Sequence, residues 1–333
     1  MKNTLKGNKR SRDATLISAF LIALFFVGGE LMKAGTNKAI SLYEIMICAA
    51  IACVAFCVAF PAAVSIFSEK HISNIKTVGR KILLLLLAPA VLAGGGAAAV
   101  FITKEFSFFS SDVMLLRSIP TIVGLLFLLF SAYVASKGIS VIKKLSLLSF
   151  VFVVLGSLVL FLMALPSLDW KSLSLNFRQG FASEISARSL IGLFCSSFAP
   201  LSVGLVLLTS DTDAYKRPSA IALPIGIFLG GALLAISYLM TVLLLGANFA
   251  ATLKYPYSTA IGTISAGKLF IRVEGVSYFI YFLSAVIRAS VSISAVTEVL
   301  AKLLPKNIKK DRIAFFTAAV IFIVFAISIK TAG

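Results

Sequence analysis

Nine apolar runs, each about 20 residues or longer, decide what this chain can fold into. A helix rises 1.5 Å per residue, so roughly 20 apolar residues cross the hydrocarbon of a bilayer. With 59% hydrophobic and 13% charged residues, the composition is far from that of soluble proteins, which hold about 25% charged residues. The sequence therefore predicts an all-α polytopic membrane protein. The spans lie near residues 14–36, 40–66, 81–102, 113–136, 141–165, 187–209, 219–247, 273–303 and 312–330.

The positive charge of the chain is arranged as an orientation signal. Lys and Arg outnumber Asp and Glu by 31 to 13, and 19 of the 31 fall in alternate connections or at the span ends that adjoin them, starting with the basic segment 1–13. Short loops rich in Lys and Arg stay on the cytoplasmic side of a membrane. We therefore expect a cytoplasmic N-terminus, a single transmembrane domain over residues 14–330, a C-terminus outside, and lipid instead of nucleic acid as the partner.

The sequence lacks the motifs of catalysis and of metal binding. It contains no phosphate-binding loop, no nucleophile elbow and no zinc-ligand spacing. All four cysteines, Cys48, Cys53, Cys57 and Cys195, lie inside apolar runs, where cysteine behaves as a small buried hydrophobe. We expect no enzymatic activity, no cofactor and no metal.

Two ionisable side chains stand deep inside predicted spans. Arg288 lies near the middle of the eighth span and Glu30 in the outer half of the first, whereas Arg117 is close enough to a span end to reach the interface. A charge at mid-bilayer costs about 2.5–3.5 kcal/mol on insertion scales, so it normally faces protein or a wet cavity. We hypothesise that Arg288 pairs with Glu30. Such a pair is equally compatible with a purely structural role and with ligand binding or transport.

The eighth span carries a polar stripe. At 100° per residue, Glu274, Tyr278, Tyr281, Arg288 and Ser292 fall on one side of the helix, which is expected to face the other helices. Glu274 and Arg288 are 14 residues apart, roughly 21 Å along the axis, so they cannot pair with each other.

Two spans contain sequences that interrupt a helix. Val27-Gly28-Gly29-Glu30 lies in the first span, and the segment from Cys195 through Ser197 and Phe198 to Pro200 lies in the sixth. Broken helices are tolerated in a bilayer where they line a cavity, and two interrupted spans five apart are typical of inverted-repeat transporters. The glycines Gly94-Gly95-Gly96 and the pair Gly226 and Gly230 instead indicate close helix packing.

Several segments resemble the B subunits of spore germination receptors. Tyr255-Pro256, with Gly267 followed by Arg272 and Glu274, is similar to the family's Pro-containing outer loop and its "Gly-x-x-x-x-Arg-Leu-Glu" entry to the eighth helix. Residues 133–139 (Tyr-Val-Ala-Ser-Lys-Gly-Ile) resemble the family's fourth-helix exit, and residues 162–169 (Leu-Met-Ala-Leu-Pro-Ser-Leu-Asp) also resemble the family. Span order and loop lengths agree over about residues 14–330.

The resemblance implies a leucine-transporter-type core of two inverted five-helix repeats, here about residues 14–165 and 187–330. It also implies a receptor in the inner membrane of spores, with an A subunit, a lipoprotein C subunit and a small germinant such as an amino acid as partners. The germinant would lie between the first, third, sixth and eighth helices. The candidate ligand-binding residues are Val27, Gly28, Gly29, Glu30, Ser197, Phe198 and Tyr281, and the candidate structural or coupling residues are Arg272, Glu274 and Arg288.

Two differences from the family keep other functions open. The sixth span reads Phe-Ala-Pro-Leu-Ser over residues 198–202, where the family has Phe-Pro-Phe-Gly-Glu, so the acidic residue is absent. Nine spans are predicted where the family has ten, so the tenth helix is expected to be missing. An amino-acid transporter coupled to protons or sodium is the main alternative to a receptor subunit. A structural membrane subunit with a closed pocket is another.

Overall fold

The fold is almost entirely helical over the residues that the computed structural model describes, which are 14–25, 27, 28, 31, 77–115, 118–168, 222–264, 273–304 and 309–330. The helices are α1 (Ala14–Phe25), α2 (Thr77–Phe109), α3 (Pro120–Ser136), α4 (Ile139–Ala164), α5 (Ala222–Leu245), α6 (Ala247–Ala250), α7 (Pro256–Gly262), α8 (Glu274–Leu303) and α9 (Lys310–Lys330). A π-helical turn, Ser110–Met114, extends α2, and a 3-10 turn, Leu165–Ser167, extends α4. The predicted second and sixth spans lie outside the described residues.

Seven predicted spans are found as apolar helices. Five of the helices are long and apolar enough to cross a membrane, and two shorter ones, α1 and α3, correspond to the first and fourth spans. A turn with Gly138 in a left-handed conformation (φ 84°) joins α3 to α4, where a side chain would be strained. These helices, in an apolar chain of this length, define an integral membrane protein.

The end of the third span differs from the prediction. The helix continues past residue 102 to Phe109, and the fourth span begins at Pro120 instead of residue 113. Lys104 and Glu105 depress the average hydropathy there, but they are only half-buried, while Phe106 and Phe109 on the same helix are buried. An average of hydropathy along the sequence does not distinguish the two sides of a helix. The prediction based on it therefore ended the third span too early.

Helix α8 is the centre of the bundle. In its apolar part 83% of the residues are buried, against 28% in α4 and 33% in α9. It packs against α2, α3, α4 and α9, and every residue from Ser284 to Thr297 is buried. The predicted polar stripe does face protein, but so does the opposite side of this helix.

The hydroxyl groups of α8 are mostly satisfied by the helix itself. Ser292 donates to the carbonyl of Arg288 (3.0 Å), and Thr297 donates to that of Ile293 (2.8 Å). Ser290 is different, because it donates across to the carbonyl of Ser131 in α3 (3.1 Å). Bonds to the preceding turn allow serine and threonine to be buried without a partner on another helix.

Helices α1 and α5 approach each other closely at Gly226. A Cβ atom at this position would lie 2.6 Å from the carbonyl oxygen of Ala19 and 2.7 Å from the Cβ of Ile22. Small residues allow membrane helices to pack backbone against backbone. The expectation of close packing is therefore confirmed at Gly226. At Gly96, by contrast, an added Cβ would meet no atom of the described residues within 4 Å, so close packing is not found there.

We expect Gly226→Val to lower the free energy of unfolding by about 1–3 kcal/mol, because the new side chain forces α1 away from α5. Thermal unfolding of the detergent-purified protein measures the change. Gly275→Val is the matched control, since a Cβ at Gly275 meets no atom within 4 Å in the part of the chain that the structure describes. Equal melting temperatures for the two variants would contradict the close contact.

Candidate functional site

Arg288 lies fully buried at the middle of the central helix. Its exposed fraction is 1%, and its guanidinium carbon is 5.5 Å from the ring centroid of Phe25 in α1. An arginine this close to an aromatic face is stabilised by the ring quadrupole. The arrangement places a permanent positive charge between α1 and α8 at mid-membrane depth.

Gly28 brings the backbone of the first span directly onto Arg288. A Cβ atom at Gly28 would lie 2.9 Å from Cδ of Arg288 and 2.9 Å from Cβ of Ser284. Only the absence of a side chain permits this approach. The adjacent Val27 is completely buried, and the N–H of Leu31 donates to the Val27 carbonyl (3.0 Å).

Ser284 adds a hydroxyl group one turn away from Arg288. Its Oγ donates to the carbonyls of Tyr281 (2.9 Å) and Ile280 (3.1 Å). The hydroxyl proton is therefore used within α8, while the oxygen keeps lone pairs that can accept a hydrogen bond. Ser284 was not among the predicted site residues, although its position four residues before Arg288 places it next to Arg288 on the helix surface.

Tyr281 continues the site toward the start of α8, into a cluster of aromatic rings. The centroid of its ring lies 4.9 Å from that of the Phe109 ring, in an edge-to-face arrangement, and 6.0 Å from that of the Phe106 ring. Both phenylalanines belong to α2. Phe109 also contacts Tyr278 (5.6 Å) and Tyr255 (5.1 Å) edge to face. Tyr281 is seven residues from Arg288, about 10 Å along the axis, so the charge and the aromatic cluster are neighbours on one side of α8.

The short helix α7 covers the far end of this cluster. Ser258 donates a hydrogen bond to the hydroxyl of Tyr278 (3.5 Å). Burial raises the pKa of Tyr257 to about 12, although its hydrogen bond with Ser237 acts in the opposite direction. Beside it, Lys254 pairs with Asp112 of the π-helical turn (2.7 Å). The hydrogen bond to Asp112 raises the pKa of the largely exposed Lys254.

We call Phe25, Gly28, Tyr281, Ser284 and Arg288 the core site. The structure brings together three of the predicted residues, Gly28, Tyr281 and Arg288. Glu274 is not part of the core site, because it lies in the first turn of α8, 14 residues from Arg288. There the positive end of the helix dipole stabilises its carboxylate. The predicted residues Gly29, Glu30, Ser197, Phe198 and Arg272 lie outside the described residues.

Phe25, Phe106 and Phe109 also belong to the site and its surroundings but were not predicted. A phenylalanine in an apolar span resembles every other lipid-facing or core phenylalanine, so its sequence context carries no signal. Only the packing of α1 and α2 against α8 identifies them.

The core site holds groups of the kinds that proteins use to orient small polar molecules. It combines a fixed cation, aromatic faces and hydroxyl oxygens in a buried place where three helices meet. Among the described residues, no group of three or more His, Cys, Asp or Glu side chains is arranged to hold a metal ion. Charge, aromatic faces and hydroxyls can orient a small polar molecule by complementary contacts.

The fold is shared with membrane transporters that have a leucine-transporter-type core. A Na⁺-coupled sialic acid symporter, in its substrate-bound outward-open state, superposes with a TM-score of 0.60 at 12% identity, over 95% of this chain and 72% of the symporter. Mhp1, a nucleobase-cation-symport-1 family transporter in a closed conformation with bromovinylhydantoin bound, gives a TM-score of 0.54 at 10% identity, over 93% of this chain and 71% of Mhp1. At these identities the similarity concerns the fold.

The family model described as "Spore germination protein" matches residues 12–332, and the chain belongs to this family of spore permeases. The resemblance found in the sequence is thereby confirmed. No curated protein matches the chain.

Proposed function

We propose that this chain is the ligand-sensing B-type subunit of a spore germinant receptor. It binds a small germinant, an amino acid, in a permease-like core bounded by the first, third, sixth and eighth helices. The observation that carries the proposal is the convergence of Gly28, Tyr281 and Arg288 in the core site. This is the place where the family resemblance puts the germinant.

The rest of the receptor follows from the same resemblance. The partners are an A-type subunit and a lipoprotein C-type subunit in the spore inner membrane, with the N-terminus of this chain in the cytoplasm and its C-terminus outside. Two inverted repeats, about residues 14–165 and 187–330, form the core. The chain carries out no catalysis in this role.

The proposed mechanism is a population shift between two arrangements of the helices. A ligand shifts such an equilibrium only as far as it binds one state more tightly than the other. Contacts to Gly28 in the first span and to Arg288 in α8 depend on the spacing of these two helices. Ligand binding at the core site would therefore favour one spacing of the two helices, and the partner subunits would respond to that change in spacing.

A proton- or sodium-coupled amino-acid transporter is the second candidate, and the fold shared with two transporters favours it. A proton-coupled carrier needs a titratable carboxylate inside the membrane, and Glu30 is the candidate for that role.

Reconstitution into liposomes distinguishes the two functions. We would measure binding and uptake of the twenty radiolabelled proteinogenic amino acids, with and without imposed proton or sodium gradients. A receptor subunit binds one or a few of them saturably and accumulates none. Uptake that dissipates a gradient would establish the transporter instead. Absence of binding by the chain, alone and with its two partner subunits, would leave only a structural role.

A further inference from the structure

The exposed apolar side of α3 ends on a basic residue. Leu126, Phe130 and Tyr133 follow one another at intervals of three or four residues, so they lie on one side of the helix, and each is about half exposed or more. Lys137 is the next position on this side, just after the last turn of α3, and it is exposed too. Its Nζ atom lies 5.1 Å from the centroid of the Tyr133 ring. A positive charge therefore lies where the apolar surface of α3 ends.

Helices α4 and α9 show the same pattern. On α4 an exposed row begins with Lys144 and continues through Leu148, Val151, Leu155, Leu158 and Leu162. On α9 an exposed row begins with Arg312 and continues through Phe316, Val320, Ile323 and Ile327. In the apolar parts of α4 and α9 only 28% and 33% of the residues are buried, so these rows face lipid.

Lys137 and Lys144 lie at the same end of the bundle. Helix α4 begins at Ile139, directly after the turn that contains Gly138. Lys144 is five residues further, about 8 Å along the axis of α4. A lysine side chain has a flexible apolar stem that lets its ammonium group reach the membrane surface from such a position.

Arg312 comes to this end because α9 runs antiparallel to α3. A Cβ atom at Gly124 would overlap the ring of Phe325, and further along α3 Leu128 lies in one apolar cluster with Ile321, which comes earlier in α9. Thirteen residues separate Gly124 from Lys137, and thirteen separate Phe325 from Arg312. The two basic residues therefore lie at about the same height.

Positive charge exceeds negative charge at this end of the described bundle. Glu298 pairs with Lys310 at 2.8 Å, which leaves the exposed Asp311 as the other acidic side chain that the structure describes there. The exposed basic side chains at this end, besides Lys310, are Lys137, Lys144, Lys309 and Arg312.

We propose that Lys137, Lys144 and Arg312, which we call the basic rim, bind the headgroups of phospholipids that carry a net negative charge. The acyl chains of such a lipid lie along the apolar rows, and its phosphate oxygens accept hydrogen bonds from the basic side chains. Each Lys or Arg near an anionic membrane surface strengthens binding about fivefold. The basic rim is separate from the core site, so lipid binding there does not depend on the proposed function.

The test compares two lipids that differ in headgroup charge. The full-length protein is reconstituted in phosphatidylcholine bilayers that contain spin-labelled phosphatidylglycerol or spin-labelled phosphatidylcholine. Electron paramagnetic resonance gives the fraction of each label held at the protein surface, and hence the ratio of their association constants. We expect phosphatidylglycerol to be preferred about threefold or more at about 0.01 M salt. At about 1 M salt the preference should nearly vanish, because the Debye length falls from about 30 Å to about 3 Å.

Two double variants locate the preference on the protein. Lys137→Gln with Arg312→Gln removes two charges of the basic rim and should lower the preference about twofold or more. Lys104→Gln with Lys330→Gln removes two charges at the opposite end of the bundle and is the control. It changes the net charge of the protein equally, and it should leave the preference close to that of the parent protein.

Three results would overturn lipid binding at the basic rim. Equal association constants of the two lipids in the parent protein would show that headgroup charge is not recognised. A preference that persists at about 1 M salt would not be electrostatic, and this measurement needs no variant. An equal fall in both double variants would assign the preference to the net charge of the protein instead of to the basic rim.

Discussion

Replacing Gly28 with leucine is expected to abolish ligand binding while the protein still inserts into the membrane. A single added carbon would already lie 2.9 Å from both Arg288 and Ser284. Leucine adds three more carbons, so the first span must move away from α8 and the core site is lost. Insertion is governed by the length and the apolar character of the span, and the substitution keeps the first and raises the second.

Binding of the best amino-acid ligand and the yield of protein in the membrane fraction measure the two effects of Gly28→Leu. Gly96→Leu is the matched control and should change neither, because a Cβ at Gly96 meets none of the described residues within 4 Å. Unchanged affinity in Gly28→Leu would exclude Gly28 from the site. Loss of membrane yield would show that the glycine is needed for folding rather than for binding.

Removing one charge of the proposed Arg288–Glu30 pair is expected to cost far more than removing both. Arg288→Met or Glu30→Gln alone should lower the free energy of unfolding by about 3–5 kcal/mol, since each leaves a buried charge uncompensated. The double variant should recover most of this loss. Thermal unfolding of the four proteins in detergent gives the coupling energy directly.

The exposed pair of Lys310 and Glu298 provides the reference for this cycle. Their 2.8 Å contact lies at the surface, so the same cycle there should give about 1 kcal/mol or less. A double variant at Arg288 and Glu30 that is no more stable than its worse single parent would rule out the pairing.

Much of the fold follows from the sequence, because a bilayer leaves a chain few choices. An apolar run of the right length must form a helix across the membrane, since its backbone groups find no other partners there. Hydropathy therefore located the seven described spans, and its largest errors moved only the end of the third span and the start of the fourth. Family motifs of a few residues then indicated the leucine-transporter-type arrangement.

Part of the core site was predicted from the sequence, and its other residues could be identified only from the structure. Arg288 was found because a charge in an apolar span is expensive, and Gly28 because glycine pairs are unusual before a charge. Their contact joins residues 260 positions apart, and no periodic pattern records such a distance. Phe25 and Phe109 carry no distinguishing pattern at all. The prediction that the polar stripe of α8 faces the other helices was correct. Because the other side of α8 is buried as well, this orientation did not by itself identify the site.

The hydrogen bonding of α8 bears on how easily the bundle can change shape. Ser284, Ser292 and Thr297 donate to carbonyls of their own helix, and Ser290 alone of these four reaches a neighbour, at Ser131. Turning or sliding α8 against α3 would therefore break one hydrogen bond of this set, while the others travel with the helix. Three of these four hydroxyl groups therefore add no hydrogen bond that would resist a movement of the central helix against its neighbours.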